Sequence, residues 1–365
     1  MTQDNIGDST FTRKRNKMIR VLIVDDSAIV RKVISEELSR YENIEVIGTA
    51  VDAYAARDKI VKLQPDVITL DLEMPRMDGL SFLVKLMKHY PMPVVVLSSL
   101  TPKNSENALR ALDLGAVEVL SKPGGSCPTK DSSQNLARAI RAAATARIKK
   151  YQQRPLSAAE RSEFKNLVVQ TNYKVIAIGA STGGTKAIEV VLSVMPSTSP
   201  GIVIAQHMPV NFTSSFAKRL NAICQIEVRE ASDNDCVVPG LALIAPGNRH
   251  MLFSRGDGKC RVRIKAGPRV HFQRPSVDVL FQSVAQNAGQ NAVGVLLTGM
   301  GIDGAKGMLA MKDSGAYTMA QDEKTCVVFG MPKEAIKLGA VDKIVPLTDM
   351  PKAILNVLKD QKASQ

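Results

Sequence analysis

Three aspartates directly follow two short apolar segments in the first third of the sequence. Asp25 and Asp26 come after VLIV, and Asp71 comes after VITL. Short β-branched runs of this kind are typical of buried parallel strands, whose carboxyl ends meet at one edge of a sheet. Carboxylates gathered at one edge repel one another unless a cation lies among them, and oxygen ligands suit Mg²⁺. The spacing therefore predicts a magnesium site at Asp25, Asp26 and Asp71.

Two further polar residues stand where strands are expected to end. Ser98 ends the run VVVLS, and Lys122 directly follows VEVLS. A hydroxyl and an ammonium group at this edge can contact the oxygens of a phosphoryl group while one carboxylate attacks the phosphorus. The set predicts phosphoryl transfer to an aspartate.

The segments VDD, DLEMPRMDG, LSS and SKP resemble the receiver domain of bacterial response regulators over residues 19–123. The resemblance implies that Asp71 accepts a phosphoryl group from a histidine kinase and that its acidic neighbours help to hold Mg²⁺. It also implies that Ser98 and Lys122 form the switch that senses the phosphoryl group. Many receivers carry Tyr or Phe three residues before this lysine, but here Val119 stands there. The sequence therefore offers no aromatic ring for the switch at that position.

A second chemical signal is the segment GASTGG at residues 179–184, which follows an apolar run and precedes a helical pattern. It fits a nucleophile elbow with Ser181 at the N-terminus of a helix. It also resembles the dinucleotide-binding turn of short-chain dehydrogenases. That alternative fails two checks, because Thr185 stands where the last glycine is required and none of the six tyrosines has a lysine four residues later.

A serine nucleophile needs a base and an orienting carboxylate. His207 follows the run GIVIAQ, and Asp303 lies in a glycine-rich turn after AVGVLLTG. Both are expected at the same sheet edge as Ser181, whereas His250 and His271 lie in or beside a predicted hairpin. We therefore predict that Ser181, His207 and Asp303 form a catalytic triad. Its order along the chain differs from that of the α/β-hydrolases.

The second half of the chain resembles the catalytic domain of the chemotaxis protein-glutamate methylesterases over about residues 172–355, through AIGASTGGT, AQHMP and LLTGMGIDGAKGM. The resemblance implies hydrolysis of glutamyl methyl esters on methyl-accepting chemotaxis receptors, deamidation of some receptor glutamines, and no cofactor for ester hydrolysis. It also suggests that the Met300 N–H helps to bind the oxyanion and that Thr182 lines the site.

The elements that position these residues alternate between apolar β-branched runs and helical patterns. This alternation predicts an α/β protein with two doubly wound parallel-sheet domains. We expect a flavodoxin-like receiver at residues 19–136, a basic linker containing a helix at 137–171, and an α/β esterase domain at 172–357 with a small hairpin inserted between 241 and 270.

Composition limits the remaining functions. Residues 1–20 and 126–166 supply nine of the thirteen net positive charges, which favours a solvated linker over a nucleic-acid surface. The five cysteines form no CxxC pair, and no run is apolar and long enough to cross or insert into a membrane, so a cytoplasmic location is expected. A DNA-binding regulator and a catalytically silent adaptor are the alternatives to an esterase.

If the protein is an esterase, we expect the unphosphorylated receiver domain to block access to Ser181.

Overall fold

The computed structural model describes residues 18–99, 101–122, 130–147 and 175–360. Its first domain contains a parallel sheet with the strand order β2-β1-β3-β4-β5. All five strands coincide with the predicted apolar runs to within two residues. They are β1 (Ile19–Val24), β2 (Ile44–Ala50), β3 (Val67–Asp71), β4 (Val94–Ser98) and β5 (Glu118–Ser121).

Five helices cover the two faces of this sheet. A side-chain oxygen of Ser27, Asp52, Asp78 or Thr101 caps the N-terminus of each of the first four and accepts from an N–H group that has no partner within the helix. The helices are α1 (Ala28–Leu38), α2 (Ala53–Leu63), α3 (Gly79–His89), α4 (Pro102–Asp113) and α5 (Lys130–Thr145).

Helix α5 belongs to the first domain. Its apolar side, including Leu136, Ala137 and Ile140, is buried in the same core as strands β1, β3 and β4. The predicted boundary between residues 136 and 137 thus falls inside this helix, because an Ala/Arg-rich helix can bury its alanines against a sheet while its arginines stay at the surface. Residues 148–171 of the predicted linker lie outside the described residues.

The second domain contains a parallel sheet with the order β14-β13-β12-β6-β7-β9-β8. The fold class is therefore confirmed. Two of these strands, Glu227–Glu230 and Tyr317–Gln321, were not predicted because their sequences EVRE and YTMAQ lack an apolar run. The strands are β6 (Val175–Ala180), β7 (Gly201–Gln206), β8 (Glu227–Glu230), β9 (Leu241–Ile244), β12 (Ala292–Leu296), β13 (Tyr317–Gln321) and β14 (Lys343–Val345).

Helices and a hairpin complete this domain. The predicted hairpin is present as an antiparallel pair, β10 (His250–Gly256) and β11 (Lys259–Lys265). Among the described residues, the last helix of this domain, Met350–Asp360, was not predicted from the sequence. The helices are α6 (Gly184–Leu192), α7 (Phe212–Ile223), α8 (Val277–Ala288), α9 (Ala305–Asp313), α10 (Met331–Lys337) and α11 (Met350–Asp360). Within the described ranges, none of the helices has both the length and the apolarity required to span a bilayer.

The two domains pack against each other through helices α4 and α7. Phe212 of α7 is buried in the hydrophobic core of the first domain. Beside it, Arg219 forms a two-pronged ion pair with Asp113, with nitrogen–oxygen distances of 2.5 and 2.7 Å. This interface brings strand β5 of the first sheet to the carboxyl edge of the second.

Candidate functional site

The acidic pocket of the first domain is assembled at the carboxyl ends of β1 and β3, as predicted from the strand spacing. Asp25 and Asp71 are buried, whereas Asp26 is exposed. Each of the three offers an oxygen within 4.8 Å of the others. The Nζ atom of Lys122 lies 2.7 Å from Asp71 Oδ2 and 3.2 Å from Asp25 Oδ2. Hard carboxylate oxygens at this spacing fit Mg²⁺, which keeps several of its water ligands.

Burial and charge act against each other in this pocket. Burial raises the pKa of the Asp71 carboxyl above its ordinary value, although the hydrogen bond and the charge of Lys122 act to lower it. Burial also acts to lower the pKa of Lys122, but its hydrogen bonds and charge pairing with Asp71 and Asp25 outweigh burial and raise that pKa. Lys122 therefore stays charged beside a carboxylate whose ionisation is costly.

The two residues expected to form the switch have different surroundings. Ser98 is buried at the end of β4, where its hydroxyl lies 3.4 Å from the backbone oxygens of Ser99 and Asn104. Lys122 joins the carboxylates directly. Val119 is buried on β5 in the hydrophobic core of the first domain.

In the second domain, three neighbouring strands position the predicted triad. β6 lies between β12 and β7 in the sheet. Ser181 follows β6 directly and His207 follows β7 directly, and the backbone N–H of His207 donates to Ala180 O at 3.1 Å. The side chain of Gln206 joins the two turns, donating to the carbonyl oxygens of Ser181 at 2.9 Å and His207 at 3.0 Å.

His207 is oriented by Asp303. Its Nε2 atom lies 2.8 Å from Asp303 Oδ2, and both side chains are only 2% exposed. The other ring nitrogen, Nδ1, is buried and has no hydrogen-bond partner among the described residues, and the same is true of Ser181 Oγ. Because Nε2 is engaged by the carboxylate, Nδ1 is the nitrogen left to act as a base toward the serine.

Asp303 is itself held at the N-terminus of helix α8. Its Oδ1 atom accepts from the Ser276 hydroxyl at 2.8 Å and from Asp278 N at 2.9 Å, and its Oδ2 atom accepts from Val277 N at 2.8 Å. Burial acts to raise the pKa of Asp303. The hydrogen bond and charge of His207, with the two N–H groups, outweigh it and lower that pKa. The carboxylate thus remains ionised at neutral pH.

The other two histidines of this domain are engaged elsewhere. The ring of His250 accepts from Ser276 N at 3.2 Å through Nδ1, and its Nε2 lies 2.9 Å from Pro268 O. His271 Nε2 lies 3.0 Å from Asp278 Oδ2. These contacts leave His207 as the histidine beside Ser181.

The glycine-rich turn after β12 approaches Ser181 closely. A Cβ atom at Gly299 would lie 2.6 Å from Ser181 Cβ, so only glycine fits there. Met300 follows directly and is half-buried. The backbone oxygen of Thr182, the residue after Ser181, accepts from the Thr298 hydroxyl at 3.0 Å. The turn therefore places Gly299, the residue directly before Met300, against the serine.

Two residues that the sequence interpretation missed contact this site. Ser276 supports Asp303, and in the sequence it carries only the signal of a helix N-cap. Glu118 of β5 accepts a hydrogen bond from the Thr182 hydroxyl at 2.5 Å. The sequence carries no signal for Glu118, because its partner belongs to the other domain.

These features define a phosphorylatable receiver joined to a hydrolase that has a serine at a strand-to-helix turn. Two family comparisons agree with this description. The response regulator receiver domain family matches residues 21–127, and the CheB methylesterase family matches residues 176–354.

Whole-chain relatives extend the match. A protein-glutamate methylesterase/protein-glutamine glutaminase of Syntrophus aciditrophicus is 59% identical over 93% of this chain and 99% of its own length. A protein of the same name from Salmonella typhi is 52% identical over 92% of this chain and 96% of its own length. The crystal structure of the Thermotoga maritima CheB methylesterase catalytic domain matches with a TM-score of 0.50 and 36% identity, over 51% of this chain and 98% of that domain. The chain belongs to the protein-glutamate methylesterase/protein-glutamine glutaminase family, which confirms both resemblances.

Proposed function

We propose that the protein hydrolyses glutamyl methyl esters, and deamidates glutamines, on methyl-accepting chemotaxis receptors. The observation that carries this proposal is the placement of Ser181, His207 and Asp303 at the carboxyl ends of three adjacent strands, with His207 already bonded to Asp303. The family and its whole-chain relatives support the choice of substrate.

In the proposed mechanism, His207 Nδ1 takes the proton of Ser181 as Oγ attacks the ester carbonyl carbon. The tetrahedral intermediate then collapses as the bond from carbon to the leaving group breaks. The imidazolium gives that proton to the departing methoxy oxygen, which leaves as methanol, or to the departing amide nitrogen, which leaves as ammonia, when the substrate is a glutamine. Water attacks the resulting glutamyl-serine ester by the same route and releases the glutamate. Asp303 holds the ring orientation and stabilises the imidazolium, and ester hydrolysis needs no cofactor.

The oxyanion requires donors beside Ser181. We assign the Met300 N–H to this role, because Gly299 allows the turn to approach the serine. Thr182 lines the same site, and its hydroxyl becomes available to substrate when Glu118 withdraws.

The receiver is proposed to control this reaction. A histidine kinase would transfer a phosphoryl group to Asp71, with Asp25, Asp26 and Asp71 holding Mg²⁺. The ion neutralises negative charge on the phosphoryl group when it is bound. Lys122 and Ser98 would contact the phosphoryl oxygens, and the change would pass through β5 to the interface with Thr182. The proposed partners act in the cytoplasm, where we place the protein.

The test is release of methanol from methylated receptors by the full chain, before and after phosphorylation with acetyl phosphate and Mg²⁺. We expect hydrolysis that increases on phosphorylation and is lost in Ser181→Ala. A protein that releases no methanol in either state would instead be a catalytically silent adaptor.

A further inference from the structure

A cavity of about 320 Å³ lies between the two domains, and His207 forms part of its wall. Met208 and Pro209, which follow His207, line both this cavity and the smaller one that contains Ser181. A protein segment bound with its ester at Ser181 would therefore extend along this cavity once the receiver has moved away. The residues that line it are candidates for reading the sequence around the scissile group.

The wall contributed by the esterase domain is positively charged. It includes Arg269 and Arg274, and among its described residues it has no carboxylate. Arg274 is fixed in place, because its Nε donates to Asn248 Oδ1 at 3.0 Å and its Nη1 donates to Gly267 O. It also lies two residues before Ser276, which bonds Asp303. The positive wall is thus built on the segment that supports the catalytic carboxylate.

The wall of the cavity that the receiver contributes contains carboxylates. Glu37 and Glu118 are the acidic residues that line the cavity within the described part of the chain, and both belong to the first domain. Arg138 of the receiver also lines it and lies 3.5 Å from Glu118. In the closed state, acidic side chains therefore stand where a substrate segment would enter.

The reaction itself generates negative charge on its substrate. Each hydrolysed ester and each deamidated glutamine becomes a glutamate, so a segment with several modification sites becomes more acidic with every turnover. Guanidinium groups pair well with carboxylates, because their N–H fork matches the two carboxylate oxygens. We propose that Arg269 and Arg274 form a subsite for carboxylate side chains flanking the scissile ester, so that the enzyme prefers esters with acidic neighbours. This inference rests on the proposed esterase function.

The experiment compares two helical peptides, each with one central glutamyl methyl ester. One has glutamates at the flanking positions three and four residues away, and the other has alanines there. The full chain is assayed with acetyl phosphate and Mg²⁺, and the ratio of kcat/KM for the acidic peptide to that for the neutral peptide is measured. Both peptides are assayed with the same enzyme preparation, so the fraction of enzyme molecules with a displaced receiver cancels in the ratio of kcat/KM values.

We expect the parent to prefer the acidic peptide by about tenfold, a factor within the range of charge-assisted contacts. Arg269→Glu should bring the ratio to one or below. Arg274→Gln should lower the ratio as well, and its melting temperature is measured because Arg274 also holds Gly267. The matched control is Arg255→Glu, an equal charge change on an exposed residue of the nearby strand β10 that does not line the cavity.

Two outcomes overturn the subsite, namely a parent ratio that Arg269→Glu leaves unchanged, or an equal loss in Arg255→Glu, which would indicate only a general field. A parent that hydrolyses neither peptide, even when phosphorylated, refutes the proposed function itself. The two failures are therefore distinguishable.

Discussion

The Thr182 hydroxyl donates a hydrogen bond to Glu118 Oε2, and this bond joins the residue after Ser181 to strand β5 of the receiver. Lys122, directly after the same strand, is ion-paired with Asp71. One short strand thus connects the proposed phosphorylation site to the proposed nucleophile. A displacement of β5 by a few tenths of an ångström is enough to strain this bond, because hydrogen bonds depend steeply on geometry.

Replacing Glu118 by alanine should raise the hydrolytic rate of the unphosphorylated protein by about fivefold, since a lost hydrogen bond of about 1 kcal/mol shifts the closed state toward the open one by that factor. Methanol release without acetyl phosphate measures it. The rate of the phosphorylated protein should change little. Glu36→Ala, which removes an exposed carboxylate from helix α1 outside this interface, is the control. A Glu118→Ala basal rate equal to that of the parent would show that this contact does not hold the domains closed.

Removing the nucleophile should have the largest effect on catalysis. Ser181→Ala and His207→Ala should each lower ester hydrolysis by about 10³-fold or more, whereas Asp303→Asn should retain more activity because it mainly orients the ring. The measurement is kcat/KM on a glutamyl methyl ester peptide. Ser193→Ala, at the far end of the helix that follows Ser181, should remain near the parent rate. Similar activity in all three triad variants would discard the triad.

Ser276 should act as a positioning residue. Ser276→Ala removes a donor to Asp303, so kcat should fall about tenfold, the effect of a hydrogen bond to a charged group, while KM changes little. Loss of the donor also raises the pKa of Asp303, and the acid side of the pH–rate profile should move to higher pH. Ser276→Thr keeps the hydroxyl and should restore both the rate and the profile. If the alanine variant loses only thermal stability, Ser276 is a helix cap without a role in the reaction.

The raised pKa of Asp71 has a consequence for stability. A carboxyl with a folded-state pKa above its unfolded value opposes folding when it is ionised, and this penalty fades as the pH falls through the folded pKa. Without Mg²⁺ at pH 7, Asp71→Asn should therefore raise the melting temperature of the first domain, and the difference from the parent should shrink as the pH is lowered toward 3.8. Scanning calorimetry measures this difference.

Magnesium should stabilise the same domain in the parent but much less in Asp71→Asn. At ten times its Kd, an ion that binds only the folded state adds about 1.4 kcal/mol, which corresponds to a shift of a few degrees. Asp58→Asn, a change in an exposed carboxylate of helix α2, is the control. An equal magnesium shift in all three proteins would place the ion elsewhere.

A fragment that begins at Phe164 should hydrolyse substrate faster than the unphosphorylated full chain and should not respond to acetyl phosphate. Inhibition of about tenfold requires a closed state favoured by only about 1.4 kcal/mol, which the interface through Phe212, Arg219 and Thr182 can supply. The two rates are compared at equal concentrations, after circular dichroism has shown that the fragment is folded. A folded fragment slower than the full chain would make the receiver an activator.

The sequence predicts most of the fold because buried parallel strands read as continuous β-branched runs. Strands β8 and β13 lack such a run, and the structure gives a physical reason for each. β8 is an edge strand with an exposed glutamate. The polar residues of β13 are satisfied by distant partners, since Thr318 bonds Asp342 and Gln321 accepts from Thr298 N. Tertiary hydrogen bonds allow a polar segment to be a buried strand.

The proposed triad could be predicted because its members stand at or just beyond strand ends, and the parallel sheet brings those ends together. Ser276 and Glu118 could not, because their contacts join residues 27 and 64 positions apart in different elements. Neither type nor spacing marks such a residue in a single sequence. Only the packing of a helix end or of a second domain creates its role.

Asp303 is simultaneously the partner of His207 and the acceptor for the first N–H groups of helix α8, those of Val277 and Asp278, beside the N-cap Ser276. The position of the carboxylate therefore depends on the N-terminus of that helix, and two N–H groups of the helix lose their acceptor when the carboxylate is displaced. A partly folded chain with a free serine and histidine would lack an oriented base, so it could not hydrolyse esters indiscriminately. The proposed reactivity of Ser181 would in this way depend on completed folding, and a serine-directed probe would report the fraction of a preparation that is fully folded.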